Sequence, residues 1–251
     1  MYLLRVGFPC PVPTIRPPEG RGNPGRIGGG YARAVPRLGL IAGSSLRGAG
    51  LDADGCTVIQ RHGEAAAYAL PHRIDHAANL RGLAEVGCER VLAIGSVGGL
   101  RPELGPGRLV CPDDFIALDT APVTSLDGPA AHRVPGFDPE WRSEVVAAFA
   151  EAGEELGDGG VYWQAAGPRL ETRAEIRLIA EHADVIGMTI GSECVVAGEL
   201  GLRYAAVCMV DNLANGIAER ELTLDEIEAN RARNQAALLR AVRAVLPRLA
   251  G

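Results

Sequence analysis

Five short stretches place hydrogen-bonding or charged side chains directly behind apolar runs. They are Gly43-Ser44-Ser45 after RLGLIA, Arg61-His62 after CTVIQ, Gly95-Ser96-Val97-Gly98-Gly99 after ERVLAI, Met188-Thr189 after ADVIG, and Asp211-Asn212 after RYAAVCMV. Small Gly/Ser turns let backbone N–H groups approach an anion, and the hydroxyls add donors. An arginine adds a planar cationic fork suited to phosphate. Together these are the parts of a phosphate pocket built without a Walker loop, since G-x-x-x-x-G-K-[ST] is absent and no G-x-G-x-x-G follows the first apolar run. GSVGG is not a nucleophile elbow, because Ser96 is not framed as G-x-S-x-G. Taken singly, each stretch also has an ordinary reading: loop chemistry for the Gly-Ser turns, a solvated face for Arg-His, a turn or cap for Asp-Asn.

The elements that must position these groups follow from periodicity. The apolar runs before each polar end read as strands, as do AYALPHR, GRLVCPDDFIAL (broken at Pro112) and GGVYWQAAGP. Between them lie helical patterns. Asp75 to Gly87 puts Leu80, Leu83 and Ala84 on one face with Gly87 as C-cap; DPEWRSEVVAAFAEAGEEL has Asp138 as N-cap and Pro139 at the first helical position. ETRAEIRLIAEH, SECVVAGELG and a long terminal helix capped by Thr223, with Glu226 three residues on, complete the set. The stretch from Asp119 to Pro135 reads as loop. Strands alternating with helices predict an α/β layer fold with a largely parallel sheet, whose ligands sit beyond the carboxyl ends of the strands.

Composition removes several classes of function. The formal net charge is −6, from 25 Lys+Arg against 31 Asp+Glu, and no basic cluster suggests a nucleic-acid track. No apolar run approaches the roughly 20 residues of a membrane span. The six cysteines are widely spaced, without C-x-x-C or metal-like pairing with His, which predicts reduced thiols in a cytoplasmic protein. Residues 1–36, dense in Pro, Gly and Arg, read as a disordered extension, and MYLLRVGF is too short for a signal peptide. One domain is expected over residues 37–251.

GPRLETRAEIR followed by ADVIGMT and ELGLRYAAVCMVDN, together with LGLIAGSSL, RHG, PHRIDHAANLRGLAEVGCERVLAIGSVGGL and PGRLVCPDDFIALDT, resembles the purine nucleoside phosphorylase and methylthioadenosine phosphorylase family over nearly everything from Arg37 onward. The RHG and GPR-x-E-T details resemble the methylthio-nucleoside branch and its microbial 6-oxopurine relatives. The resemblance implies a three-layer fold with a central twisted mixed sheet between helices. It implies phosphorolysis: orthophosphate, as co-substrate, attacks the anomeric carbon of a purine nucleoside, and the base leaves without metal or organic cofactor. It implies a homotrimer or a dimer of trimers.

By the same resemblance, Ser44, Arg61, His62, Gly95, Ser96 and Thr189 hold phosphate, and Met188 lies under the ribose. Leu170, Glu171, Leu213 and Ala214 line the base. Asn212 hydrogen-bonds N7 of the leaving purine, so that Asn212 and His62 carry the catalytic roles. Leu224 stands beside the 5' substituent, and His132 reaches a neighbouring subunit's site. Ala42 and Ser45 stand where the family usually has glycines, Gly95-Ser96 replaces an Asn/Thr-Ala pair, and Leu170 replaces an aromatic.

Hydrogen-bond inventory bears on the base. A 6-oxopurine offers N1–H as donor and O6 as acceptor, adenine the reverse, and an ionised Glu171 can only accept. Asn212 and Ala214 replace two aspartates of the adenine-cleaving branch, which favours hypoxanthine or guanine. Glu171 paired to Arg169 or Arg173 would instead read nothing, and Asp211 has a structural reading as a brace for the turn. An apolar Leu224 suits a methylthio group, so methylthioinosine competes with inosine and guanosine. Adenine release from methylthioadenosine and a non-catalytic nucleoside-binding protein are the alternatives.

Overall fold

The computed structural model describes residues 37–51, 55–63, 68–219 and 222–251. The Pro/Gly-rich stretch 1–36, with Cys10 in it, lies outside the described residues.

Strands β1 (Arg37–Ala42), β2 (Cys56–Gln60), β3 (Cys88–Gly99), β4 (Leu109–Cys111), β5 (Asp114–Ile116), β6 (Gly157–Asp158), β7 (Val161–Gln164), β8 (Val185–Gly187) and β9 (Arg203–Leu213) form one sheet. Its order is β5-β7-β8-β3-β9-β4-β6, with β1 pairing both β2 and β3. The sheet is mixed: β3–β8 and β4–β9 are antiparallel, while β1–β2, β1–β3, β3–β9, β5–β7, β7–β8 and β4–β6 are parallel.

Helices cover both faces. On one, α2 (Pro139–Glu151) and α5 (Leu224–Ala250) pack Trp141, Phe149, Leu238 and Val242 against Leu40, Leu92, Val207 and Met209. On the other, α1 (His76–Glu85) and α4 (Ile190–Glu199) pack Leu80, Leu83, Cys194 and Ala197 against Ile41, Val91, Ala206 and Val210. Alternate residues of β1, β3 and β9 feed the two cores, as strand geometry requires of a sheet buried on both sides. The short α3 (Arg173–Ile179) adds a third cluster with Trp163, Ile186 and Ala214. Cys111, Cys194 and Cys208 are buried free thiols.

The caps follow the sequence. Asp75 accepts from Ala78 N at 2.8 Å, Asp138 from Trp141 N at 2.7 Å and Thr223 from Glu226 N at 3.2 Å. Gly87, just past α1, has φ +85, a left-handed conformation that glycine adopts without penalty. One expected strand is absent. In AYALPHR, residues 68–70 are irregular and Pro71–Arg73 is a 3₁₀ turn. Pro71 has no N–H for a ladder, and Leu70 and Pro71 face a cavity instead of a strand partner. The two-residue β6 had no periodicity to announce it.

The position of the cavity follows from the sheet. Strand β3 pairs with β1 only as far as Ile94, then with β8 from Gly98. Between them Ser96 and Val97 have lost one neighbour and not yet gained the other. On the other side β9 runs alongside throughout, with a bulge at which Val97 pairs with Val210 and Gly98 with Asn212. Asp211 is the extra residue, and the bulge turns it and Asn212 to different surroundings.

Candidate active site

A cavity of about 250 Å³ opens at this divergence. Its lining includes Ser44, Arg61, His62, Ser96 and Thr189 together with Met188, Leu170, Glu171, Asn212, Ala214 and Leu224. Residues spread over 180 positions of sequence thus meet because β1, β2 and β8 end beside the middle of β3, with β9 running along its other side.

Arg61 follows β2 and is buried to 3% exposure. Its Nε donates to Glu193 Oε1 at 2.5 Å, Nη2 to Glu193 Oε2 at 2.9 Å and Nη1 to the Ile94 carbonyl at 2.7 Å. A guanidinium has five N–H groups, so two remain uncommitted. Glu193 lies in the first turn of α4, is fully buried, and also accepts from Tyr204 Oη at 2.7 Å. Burial alone would raise its carboxyl, but the charge and hydrogen bonds of Arg61 hold it down at about 2. Gly43 is a glycine for steric reasons: a Cβ there would collide with the Arg61 guanidinium and the Ile94 carbonyl.

His62 Nδ1 lies 2.9 Å from the Ala69 carbonyl, and its ring stacks on Tyr68 at 4.8 Å between centroids. A carbonyl only accepts, so Nδ1 carries the proton and Nε2 keeps its lone pair. Burial first, and the Arg61 charge as well, push the imidazole below its ordinary value and favour the neutral ring. Thr189 precedes α4 but makes no side-chain cap. The leading N–H groups of α4 are taken by neighbours: Thr189 and Ile190 N donate to Tyr162 Oη at 3.1 and 3.4 Å, and Ser192 N to Gln164 Oε1 at 2.9 Å. What α4 presents to the cavity is therefore the Thr189 side chain.

Asn212 is 8% exposed and gives one amide N–H to the Leu213 carbonyl at 2.9 Å, which leaves a second N–H. Glu171 makes no ion pair with Arg169, whose guanidinium pairs with Glu175 at 2.7 and 2.8 Å. Burial pushes the Glu171 carboxyl above its ordinary value. Asn215 Nδ2 donates to the Glu171 carbonyl at 3.1 Å and ties the segment after β9 to the one before α3.

Three expected residues stand elsewhere. Gly95 is buried within β3, where a Cβ would face Cys208 Sγ and Ile190, and it does not reach the cavity wall. The strand continues past it to Gly99, so the contact surface begins one residue later, at Ser96. Leu213 ends β9 without lining the cavity, because successive strand residues point to opposite sides. His132 is exposed after the 3₁₀ turn Gly128–Ala131 and does not line this chain's own cavity. Ser96 does line it, but its hydroxyl proton goes to Asp211 at 2.5 Å, so it is not a free donor.

Other lining residues were not singled out from sequence. Tyr68, Leu70 and Pro71 come from the irregular stretch, and Leu222, Ile227, Glu228 and Arg231 surround Leu224 at the start of α5. Glu193 could have been found: a glutamate one residue before Cys194, Val196 and Ala197 on a buried helix must have a partner.

A sequence profile of the Phosphorylase superfamily matches residues 50–247. A probable 6-oxopurine nucleoside phosphorylase of Archaeoglobus fulgidus is 45% identical over 172 residues, covering 68% of this chain and 70% of the relative. A probable S-methyl-5'-thioinosine phosphorylase of Xanthomonas campestris pv. campestris is 38% identical over 181 residues, covering 68% and 72%. In fold, the chain is similar to the methylthioadenosine phosphorylase of Schistosoma mansoni in complex with adenine. The TM-score is 0.74 at 20% identity, over 85% of this chain and 92% of the other.

Proposed function

The chain belongs to the Phosphorylase superfamily, and from that premise we propose that it is a pentosyltransferase that phosphorolyses 6-oxopurine nucleosides in purine salvage. Orthophosphate is the co-substrate, and free purine and a ribose 1-phosphate, or its 5-substituted analogue, are the products. The observation that carries the reading is that Ser44, Arg61, His62 and Thr189 line a single cavity together with Glu171 and Asn212.

In this reading phosphate sits against the Ser44 and Thr189 hydroxyls and the two spare N–H groups of Arg61. The neutral His62 Nε2 accepts a hydrogen bond from a protonated phosphate oxygen. Met188 lies under the ribose. Phosphate attacks the anomeric carbon as the C–N bond breaks, and the sugar carries oxocarbenium character between nucleophile and leaving base. Negative charge develops on the purine. The free Asn212 N–H donates to N7, stabilising that charge where it forms. Ionised Glu171 accepts from N1–H, which a 6-oxopurine has and adenine lacks. With Ala214 beside Asn212, no carboxylate stands there to accept from the amino group of adenine.

At the sugar's far end Leu70, Leu222, Leu224 and Ile227 give the cavity an apolar stretch, beside Glu228 and Arg231, that suits a 5'-methylthio group. This favours 5'-methylthioinosine as a substrate beside inosine and guanosine. Residues 37–251 form the catalytic domain, the assembly is a homotrimer in which His132 serves a neighbouring site, and the enzyme works in the cytoplasm.

The test is a panel of nucleosides crossing adenine, hypoxanthine and guanine with 5'-hydroxyl and 5'-methylthio, each with and without phosphate. Phosphate-dependent release of hypoxanthine or guanine is expected. Release of adenine in preference would turn the reading to methylthioadenosine, and no release from any member would sink it.

A further inference from the structure

Asp211 is fully buried, does not line the cavity, and binds three separate parts of the fold. Its Oδ2 accepts the Ser45 hydroxyl at 2.9 Å and the Ser96 hydroxyl at 2.5 Å, and its Oδ1 accepts Asn234 Nδ2 at 3.1 Å. Ser45 follows Ser44 in the turn on the phosphate side, Ser96 lies on β3, and Asn234 lies on α5. The next residue of α5, Gln235, holds the same turn from below through Nε2 to the Ser45 and Arg47 carbonyls, at 3.2 Å each. On the other side Asp211 is covalently joined to Asn212, and the β-bulge fixes both.

We propose that Asp211 is a positioning residue that sets the distance between the phosphate turn and the purine-facing Asn212. The inference rests on the phosphorolysis reading and deepens it. Nucleophile and leaving group lie on opposite faces of one anomeric carbon, so the reaction depends on the spacing of the groups that hold them. A misplacement of about 1 Å costs on the order of a hundredfold in rate. A carboxylate that takes hydroxyls from the phosphate turn and from β3 while its own backbone carries Asn212 links the two ends directly. Because the donors are short serines, the link has little slack.

The experiment is steady-state kinetics with inosine and phosphate varied independently. Wild-type enzyme is assayed first; absence of phosphate-dependent base release there would defeat the phosphorolysis reading itself, before any variant is examined. Asp211→Ala, with circular dichroism like wild type, is expected to raise KM for both substrates about tenfold and to lower kcat about a hundredfold. Ser45→Ala and Ser96→Ala, each harmful alone, should add less than about twofold in that background, since they act through the missing carboxylate. Asp211→Asn keeps an oxygen for both serines, and a turned Asn234 amide can accept from its new NH2 group. It is expected within about threefold of wild type. A loss confined to one substrate, multiplicative serine effects, or an Asn variant as poor as Ala would each overturn the proposal. If Asp211→Ala does not fold, the Ser45→Ala/Ser96→Ala double variant decides: loss toward both substrates supports the link, and loss toward phosphate alone overturns it.

Discussion

Arg61 and Glu193 form a two-bond fork in which the side chains are 1% and 0% exposed, so the cation facing the cavity carries its own counter-ion behind it. The pair is close to neutral as a unit, so in the proposed reading phosphate would be met by oriented N–H groups more than by net positive charge. Removing one partner leaves the other charged and buried. Glu193→Ala is expected to destabilise the fold by about 3–5 kcal/mol, read from urea unfolding. Arg61→Lys cannot make the fork, and should raise KM for phosphate far more than KM for the nucleoside. Equal effects on both would remove Arg61 from the phosphate side.

His62 predicts the acid limit of activity. Burial holds its imidazole below the ordinary value of 6.5, so the neutral ring persists as pH falls past that point. The folded protein binds fewer protons there than the unfolded chain. The group's contribution to stability is therefore complete above 6.5 and is lost as pH falls through the depressed folded value. kcat/KM for phosphate should follow the same course. His62→Gln has no such limb. In the ratio of the two profiles the titration of phosphate itself cancels, and a ratio that stays flat as pH falls from 8 to the onset of acid unfolding would refute the assignment.

Glu171 predicts a selectivity that depends on pH. As a carboxylate it accepts from the N1–H of a 6-oxopurine; once protonated it can donate to N1 of adenine. Burial raises its carboxyl from 4.5, so preference for inosine over adenosine should narrow as pH drops toward the raised value. Competition assays at a series of pH values stepped down from 7.5 check this. In Glu171→Gln the ratio should be small and independent of pH. Asn212→Ala should lower kcat for both nucleosides by about 10²-fold or more, the size of losing a donor to developing charge.

Leu224 predicts the 5' preference. It is 71% exposed, so Leu224→Asn should change stability by no more than about 0.5 kcal/mol. Losing apolar contact with a methylthio group should cost methylthioinosine about tenfold in kcat/KM while inosine stays within about twofold. Two substrates in one reaction, followed by chromatography, give the ratio directly.

The elements were largely legible because their signals are local. Continuous apolar runs marked β1, β3 and β9, and caps at Asp75, Asp138 and Thr223 fixed where helices begin. The polar strand ends were legible as a set, and most of them line the cavity. What sequence hid is pairing across long separations. Ser45 and Asp211 lie 166 positions apart, Arg61 and Glu193 132 apart, and no local pattern links either pair. Leu70-Pro71 read as strand because a pocket wall and a strand face are both apolar, and only the missing proline N–H argued otherwise. Gly95 was placed at the site because a Gly-rich run resembles a turn; the strand passes straight through it.

The terminal helix α5 has 27 residues, about 40 Å of continuous chain. Its first turn lines the cavity, its middle grips the turn that carries Ser44, and its last turns are sealed in the main core through Val245, Leu246 and Leu249. It behaves as a beam fixed at its far end. A bulkier 5' group cannot be admitted by swinging the near end away without disturbing the grip on Ser45. Substrate range in this scaffold is therefore more readily widened by trimming Leu222, Leu224 or Ile227 than by moving the backbone, and selection for new substrates should leave its marks on those side chains first.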